Sequence, residues 1–573
     1  MKESRLVRQM AAYLMGASAV LGFSGYLLWR DIGATTNAMA AFQVALDGFF
    51  FTFRLFAGAA PETISHDNPM AAIYLNIARF TAPISLILAF LARFSVLWKP
   101  LYIRFRVRRF RDFDILFGDS ALSRELARQN AAEGRWSVIV DLSDTAHPPY
   151  TLHRRHRLIV LQQDVFVADF EGDNLAPKAV VFASEDDYQN ILNDSSSLGQ
   201  AIAATTRFVH IASEELRLDL VAAGGVGTSG AQGAAQVFSI HELAARHFTH
   251  SHDIVMDAIA CNQRRLHVVC VGFGEDTAAL VYHLIKVMPC PALGPIRITI
   301  LCCGAGGVEQ RLKVRLGNAP DIAQITCVEI PAKAVASTLL SVLPTDDPIS
   351  FWYLSSDLAF DQRHFALQLR NAALRDAIGV APMYLPVTEP FRLWVEAVGP
   401  HETMPVKCLT ESDKILSSAF FAGRIDALAR ALHGAYTGYR QDVAANTQDL
   451  AHSLREWRQL DENLRAANRR AADATKTRLE LLGLGGPMET YLAKGTGPLS
   501  PDPAVLENLA RAEHLSWMAD RLVSGWRYAE TRDNIRRLHP NLVPYDDLSE
   551  HERDLDRKQI TTSLALLQTG LPR

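Results

Sequence analysis

Apolar residues are concentrated before Lys99 and charged residues after it. Met10 to Trp29 is a run of twenty residues without a charge, long enough as a helix to cross the roughly 30 Å hydrocarbon layer of a bilayer. A second apolar stretch, Met70 to Trp98, carries arginines near the ends of its central part, where long side chains can reach polar surroundings. The pattern predicts two membrane-spanning helices, at about 10–29 and 70–98.

Basic residues precede the first predicted span and follow the second. They are Lys2, Arg5 and Arg8 before the first span, and Lys99, Arg104, Arg106, Arg108, Arg109 and Arg111 after the second. The positive-inside rule places both termini in the cytoplasm, so the number of crossings is even. The apolar segment 39–60 therefore either enters the membrane and returns, or lies along the surface as an amphipathic helix. We assign 1–99 to a transmembrane pore module and 100–112 to a basic linker.

Short apolar runs alternate with helical segments after the basic linker. The runs predicted to be buried strands begin at Phe113, Ser137, Arg157, Lys178 and Arg207. Strands that alternate with helices predict a parallel, doubly wound sheet. In the first strand-to-helix turn, the three positions of the dinucleotide fingerprint hold Gly118, Ser120 and Ser123, and Asp141 ends the next strand. These four residues are candidates for nucleotide binding, with a purely structural turn as the alternative.

A second region with the same pattern begins at Leu266. Gly272 and Gly274 occupy the first two fingerprint positions, but the following predicted strand ends without an acidic residue that could hold a ribose. Nucleotide binding is therefore a weaker prediction here. We assign 113–260 to a first lobe and 261–390 to a second, degenerate one.

The first lobe resembles the RCK domain, the regulator of K⁺ conductance or TrkA-N-like module. The resemblance rests on the glycine turn, on Asp141 and on the stretch from Ser184 to Asn190, where acidic residues precede an asparagine. The second lobe completes the pair that tandem-RCK channels show. By this resemblance both lobes are Rossmann-like, and copies of the chain form a ring that binds nucleotides or ions and acts on a pore.

The chain becomes helical from Arg424, and we assign 391–500 to a connecting and helical region. Residues 501–573 closely resemble the ryanodine-receptor repeat, or RyR domain. The matching residues include Glu513, His514, Trp517, Gly525, Trp526, Tyr528, Asp533, His539, Pro540, Leu542, Val543, Pro544, Tyr545, Leu548, Glu552, Asp556 and Arg557.

The RyR-like segment combines aromatic and basic residues. Aromatic faces can stack on planar bases, and guanidinium groups bind phosphate. The candidate ligand-pocket residues are Trp517, Trp526, Tyr528, Arg532, Asp533, His539 and Tyr545. The alternative is that the aromatic residues form a core and the arginines a solvated face.

Two spans, an intervening re-entrant segment and tandem RCK-like lobes resemble a two-transmembrane potassium-channel subunit, which forms a homotetramer around its pore. In that resemblance the pore residues are Thr52, Phe53, Arg54, Leu55, Phe56, Ala57 and Gly58. The sequence lacks the Thr-Val-Gly-Tyr-Gly filter whose carbonyls replace the water around K⁺. It therefore indicates a channel-like pore without support for potassium selectivity, and Arg54 could favour anions.

The predicted fold class is a multidomain membrane protein with an α-helical transmembrane hairpin and re-entrant pore segment, two α/β Rossmann-like RCK lobes and a mainly α RyR domain. We expect a ligand-gated ion channel of the bacterial inner membrane. The expected ligand is a nucleotide or dinucleotide of NAD, ATP or ADP-ribose type, bound in lobe 1 or the RyR domain. The expected partners are the lipid bilayer, further copies of the chain and this ligand, without nucleic acid.

We expect neither catalysis nor a metal site. No acid, base or nucleophile is arranged beside the fingerprint turns, and the seven cysteines show no spacing typical of zinc ligands. The alternative function is a non-conducting, membrane-tethered nucleotide sensor or scaffold. An effector of antiviral defence is a biological role that such a protein could fill.

Overall fold

The computed structural model describes residues 2–35, 37–59, 68–110, 112–143, 150–170, 175–195, 206–226, 235–317, 319–331, 336–343, 347–357, 362–375, 381–386, 406–409, 425–440 and 455–571. The chain divides into two compact units, Met1–Arg109 and Phe110–Arg573. The described part of the first unit is helical, and the second contains two large sheets and a group of C-terminal helices.

Three long helices form the first unit. They are α1 (Lys2–Trp29), α2 (Ala38–Phe56) and α3 (Pro69–Arg109). α2 begins where it does because the Asn37 side chain accepts a hydrogen bond from the Met39 backbone N–H at 3.0 Å and so caps the helix. α3 runs without a break through the predicted second span, so the basic segment that follows is helical up to the end of α3.

Each of these helices contains a segment that is long and apolar enough to cross a membrane, by length and composition. The segments are Gln9–Trp29, Ala38–Phe56 and Pro69–Phe90. The first and third agree with the predicted spans. The segment predicted to re-enter the membrane forms one continuous helix of 19 residues, so the number of crossings stays a prediction.

Small residues let the three helices approach each other closely. A Cβ atom at Gly25 of α1 would lie 2.9 Å from Cγ of Leu75 in α3, and one at Gly48 of α2 would lie 3.0 Å from an aromatic ring of α1. Ser18 of α1 also donates a hydrogen bond to the Thr81 hydroxyl of α3 at 2.7 Å. The exposed large apolar side chains of the unit include Met39, Phe42, Phe49, Phe50, Phe53, Ile73, Phe80 and Phe90.

The first large sheet belongs to lobe 1. Its strands are β1 (Phe113–Phe117), β2 (Trp136–Asp141), β3 (Tyr150–His153), β4 (Leu158–Gln162), β5 (Ala179–Phe182), β6 (Thr206–His210) and β7 (Gln236–Phe238). They are ordered β3-β4-β2-β1-β5-β6-β7, and all pairs are parallel except β3 with β4. The helices of this lobe are α4 (Ala121–Ala132), α5 (Gln163–Phe170), α6 (Asp187–Ser195), α7 (Glu214–Ala222), α8 (Ile240–Ser251) and α9 (Ile254–Ala260). The Rossmann-like prediction is confirmed.

The second large sheet belongs to lobe 2 and is wholly parallel. Its strands are β8 (His267–Val271), β9 (Ile296–Cys302), β10 (Ala323–Glu329), β11 (Phe351–Leu354), β12 (Met383–Pro386) and β13 (Val406–Leu409), in the order β10-β9-β8-β11-β12-β13. The helices are α10 (Glu275–Val287), α11 (Ala305–Leu316), α12 (Ala336–Ser341) and α13 (Gln362–Arg375). β13 pairs with β12, so the sheet extends past the predicted lobe boundary at 390.

The remaining elements are mainly helical, as predicted. They are α14 (Ala427–Arg440), α15 (Glu462–Leu481), α16 (Met488–Lys494), α17 (Pro503–Val523), the short paired strands β14 (Arg527–Tyr528) and β15 (Leu538–His539), and α18 (Glu550–Leu567). Leucine and isoleucine side chains of α14, α15, α17 and α18 share one hydrophobic core.

Candidate functional site

The turn after β1 is built around Gly118. This residue has φ +97°, and a Cβ atom there would lie 2.6 Å from Cα of Ser184, just after β5. Its N–H donates a hydrogen bond to the Val140 carbonyl of β2 at 2.8 Å. Glycine alone fits both the backbone conformation and the close approach of the neighbouring strand. The first fingerprint position is therefore explained by the fold itself.

The other three candidates of this turn are buried and bonded within the protein. The Ser120 hydroxyl donates to the Ala183 carbonyl and accepts a hydrogen bond from the Ser123 N–H at 3.2 Å, which caps α4. Asp141 accepts hydrogen bonds from the N–H and the hydroxyl of Ser143 at 2.9 and 2.7 Å. The structure brings the four candidates of lobe 1 to one edge of the sheet, but their polar groups already have partners.

Carboxylates surround the corresponding turn of lobe 2. Gly272 has φ +86°, as a tight turn requires, and a Cβ atom at Gly274 would lie 2.6 Å from Cβ of Asp357. Asp276 lies in the first turn of α10 and accepts a hydrogen bond from the Ser355 hydroxyl at 2.7 Å. Negative charge in the space next to Gly274 disfavours a phosphate group. The structure thus gives a physical reason for the weaker prediction in this lobe.

The predicted pore residues lie at the C-terminal end of α2. Thr52 to Phe56 form its last turns, and Ala57 and Gly58 follow, the latter with φ +75°. The carbonyls of Arg54 and Leu55 accept backbone N–H groups that follow them, at 3.1 Å. A selectivity filter needs carbonyls that face the ion. In this conformation these two carbonyls are engaged by the backbone.

Three of the predicted RyR residues form one aromatic cluster. The rings of Trp517 on α17 and His539 on β15 are 5.0 Å apart between centroids, and the rings of Trp526 and His539 are 6.0 Å apart. The guanidinium carbon of Arg521 lies 5.9 Å from the centroid of the Trp517 ring and 5.6 Å from that of Trp526. The cluster therefore offers aromatic faces and a cation in one place.

The other four predicted RyR residues are in different surroundings. Arg532 is exposed and donates from Nε to the side-chain oxygen of Asn534 at 2.9 Å. Asp533 accepts two backbone N–H groups of its own turn. Tyr528 is 55% exposed, and Tyr545 is buried in a small core. Of these four, only Arg532 lines the cavity beside the aromatic cluster, so the core alternative holds for Tyr545.

The aromatic cluster faces a cavity of about 690 Å³. Lobe 1 contributes Phe238 and Arg246, lobe 2 contributes Lys286, and α15 contributes Arg470. The RyR-like segment contributes the cluster and Arg532. This size is in the range of sites for drug-sized ligands. The cavity is thus walled by every module of the second unit.

His539 is neutral at physiological pH. Burial, followed by the nearby positive charges of Arg532 and Arg521, lowers its pKa to about 4. Its Nδ1 accepts the Asn541 backbone N–H at 3.1 Å, so the ring proton is on Nε2. That N–H is a donor suited to an anionic ligand.

α15 is a charged helix that lies almost entirely inside the second unit. Asp473 pairs with Arg246 of lobe 1 at 2.7 Å. Thr477 donates to the Val287 carbonyl of lobe 2 at 2.8 Å, and Arg470 pairs with Glu513 of α17 at 2.7 Å. A shift of α15 would therefore change polar contacts in both lobes and in the C-terminal segment at once.

Residues 501–570 match the RyR domain family. The chain is also similar to solved structures of GsuK. One, of GsuK bound to ADP, has 15% identity and a TM-score of 0.36, and covers 72% of this chain and 96% of GsuK. Another, of the GsuK channel, has 13% identity and a TM-score of 0.38, with 74% and 99% covered.

A third similar structure, of the GsuK channel bound to NAD, has 11% identity and a TM-score of 0.37, and covers 74% of this chain and 84% of that one. The GsuK RCK domain is similar as well, at 11% identity. The RyR prediction is confirmed for the matched residues. These solved structures are of the GsuK channel and of its RCK domain.

Sequence reasoning missed most of the cations that line the cavity. Arg521 was not among the candidates, although it follows Trp517 by four residues on a predicted helix and so lies on the same face. Lys286 and Arg470 come from α10 and α15, and only the tertiary structure brings them to the RyR domain.

Proposed function

We propose that the protein is a ligand-gated ion channel of the bacterial inner membrane, with both termini in the cytoplasm. In this proposal α1 to α3 of several copies, four by the predicted resemblance, surround an ion pathway. A nucleotide-type ligand binds in the cavity between α15, the two lobes and the RyR domain. The observation that carries the proposal is the composition of that cavity wall, because one ligand there would contact every module of the second unit.

The chemistry of the wall supports a nucleotide-type ligand. Trp517 and Trp526 offer ring faces to a planar base, and Arg521 and the Nε2–H of His539 offer donors to phosphate. A ligand shifts a conformational equilibrium only through a difference in affinity between two states. Contacts with four modules provide such a difference whenever the modules change their spacing.

The test is ionic current from the purified full-length chain in planar bilayers. We expect current that responds to nucleoside phosphates or to a small-molecule fraction of cell extract. Trp526→Leu should remove the response, since it deletes a ring of the cavity wall. Tyr528→Leu is the matched control, because Tyr528 is exposed and outside the wall, and it should respond like the unmodified chain. Silence of the unmodified chain under all these ligands contradicts the proposal.

A second candidate is a non-conducting, membrane-tethered sensor. It is favoured by the engaged carbonyls of Arg54 and Leu55 at the end of α2, which leave those positions without an ion-facing filter. Cysteine substitutions along Gln43 to Glu62 distinguish the two candidates. A pore segment gives deep positions that permeant ions protect from thiol reagents, whereas a surface helix gives uniform labelling on one face.

A further inference from the structure

The cavity beside the aromatic cluster shares part of its wall with a second one, of about 590 Å³. Both are lined by Arg470, Trp517, Arg521, Arg532 and His539, which we call the waist. Each cavity alone has the size of a site for a drug-sized ligand, so a mononucleotide would occupy only part of the two cavities together. A ligand that fills both must consist of two bulky units joined by a linker that passes the waist.

The waist contains more positive charge than its ion pairs balance. Among the described residues Arg521 forms no ion pair, and its guanidinium group lies over the two indole rings. Burial lowers its pKa; Asp520 opposes this effect, and the positive charges of Arg470 and Arg532 add to it. Arg470 pairs with Glu513 at 2.7 Å, but its Nε has no hydrogen-bond partner in the described part of the chain. An anion at the waist would relieve this repulsion and supply the missing acceptor.

The two ends of the combined space differ in chemistry. The first cavity adds Trp526 and Lys286, which suit a base and a further negative charge. The second adds Asn541, Glu552 and Asp556, whose oxygens suit the hydroxyl groups of a sugar. Each end can therefore hold one nucleoside-like unit.

We infer that the cavity pair binds a ligand made of two nucleoside-like units joined by a negatively charged phosphate linkage, with that linkage at Arg521. The inference deepens the proposed function and rests on it for the physiological role, but binding can be measured without any current. Two sources share this chemistry: pyrophosphate-linked dinucleotides and cyclic dinucleotides joined by phosphodiester bonds.

The experiment is isothermal titration of the full-length protein in lipid nanodiscs with NAD, cyclic di-AMP and AMP. We expect one of the two-unit probes to bind at least tenfold more tightly than AMP, since AMP fills one cavity only. Arg521→Gln should weaken binding of that probe about tenfold or more, because one charge-assisted hydrogen bond contributes about 1.5–3 kcal/mol. Arg532→Gln, an exposed residue of the waist, should weaken it by a smaller factor without a change in melting temperature.

The matched control is Arg128→Gln, an exposed arginine of α4 that lines neither cavity, and it should leave the titrations unchanged. The inference is overturned if neither NAD nor cyclic di-AMP exceeds AMP tenfold, or if Asp141→Asn in the lobe 1 turn weakens binding and the two waist arginine variants do not. If NAD binds more tightly, the ligand of the cavity pair has a pyrophosphate linkage. If cyclic di-AMP binds more tightly, the ligand has phosphodiester linkages. Binding of a two-unit probe without any current contradicts the proposed channel and leaves the inference standing. Current that only a mononucleotide gates supports the proposed channel and overturns the inference.

Discussion

Asp473 is the residue of α15 whose substitution tests the role of this helix most directly. It is 4% exposed, as is its partner Arg246. The two side chains form hydrogen bonds of 2.7 and 3.1 Å, and His250 lies 3.2 Å from the same carboxylate. Burial alone would raise the pKa of Asp473, but the Arg246 charge and the His250 hydrogen bond hold it well below its usual range. We predict that Asp473→Asn loosens the contact between α15 and α8.

The expected size follows from the contacts that remain. Removing one partner of a buried pair costs about 3–5 kcal/mol, because the other charge stays buried without compensation. Arg246 keeps Asp426 at 3.4 Å and Glu242 at 3.8 Å, so we expect the lower value, about 3 kcal/mol. That corresponds to an increase of about 150-fold in the local opening equilibrium.

Native-state hydrogen exchange of the full-length chain measures this change in the amides of α8 and α15. The matched control is Glu309→Gln, which breaks an exposed pair with Lys313 on α11 and should change protection by no more than about 0.5 kcal/mol. The double variant Arg246→Met with Asp473→Leu should recover most of the loss, since it removes both charges of the pair and Asp426 keeps its pair with Arg469 at 2.9 Å. Equal protection in Asp473→Asn and Glu309→Gln would refute the reasoning.

Three further predictions concern single sites. Gly118→Ala should lower the stability of lobe 1 by more than about 2 kcal/mol in chemical denaturation, because the new Cβ atom meets backbone atoms at 2.6 Å. Its control is Gly294→Ala, where φ is +65° but the space is open, and this change should cost only about 1 kcal/mol. Equal losses would contradict the steric explanation. Gly25→Ala should lower the melting temperature in detergent, because its Cβ would lie 2.9 Å from a leucine of α3, and Gly16→Ala, which faces open space, should not. Burial raises the pKa of Asp194 to about 6 against the opposing charge of Arg207, which lies 3.2 Å away. The folded state therefore binds the Asp194 proton more tightly than the unfolded chain, and stability falls as pH rises from about 4 through 6. Asp194→Asn should remove this fall between pH 4 and pH 8 in chemical denaturation, and a fall of the same size in the variant would contradict this.

The elements with strong local signals could be predicted from the sequence. The predicted spans rest on uninterrupted apolar runs, and the strands of both lobes rest on apolar segments bounded by turns. The turn at Gly118 was recognisable because a positive φ selects glycine locally. Of the strands in the two large sheets, β3, β7 and β13 were not predicted. They have four, three and four residues, and such short edge strands form only where a neighbouring strand offers its backbone groups.

The burial of α15 was also outside the reach of the sequence. Its residues are rich in charge, and charged side chains are rarely fully buried unless they are paired. In the structure the buried Lys476 pairs with Asp253, and Arg478 pairs with Glu513. Both partners come from other modules, so the favourable pairing exists only after the modules have assembled.

The sequence by itself determined the membrane-directed helices, the two Rossmann-like lobes and the RyR domain, because periodicity, glycine turns and an ordered motif are local properties of the chain. It also identified Trp517, Trp526 and His539. Only the tertiary structure decided which residues meet at the waist, because Arg470 and Arg521 belong to different helices. Their mutual repulsion depends on distance and burial, which no local pattern encodes.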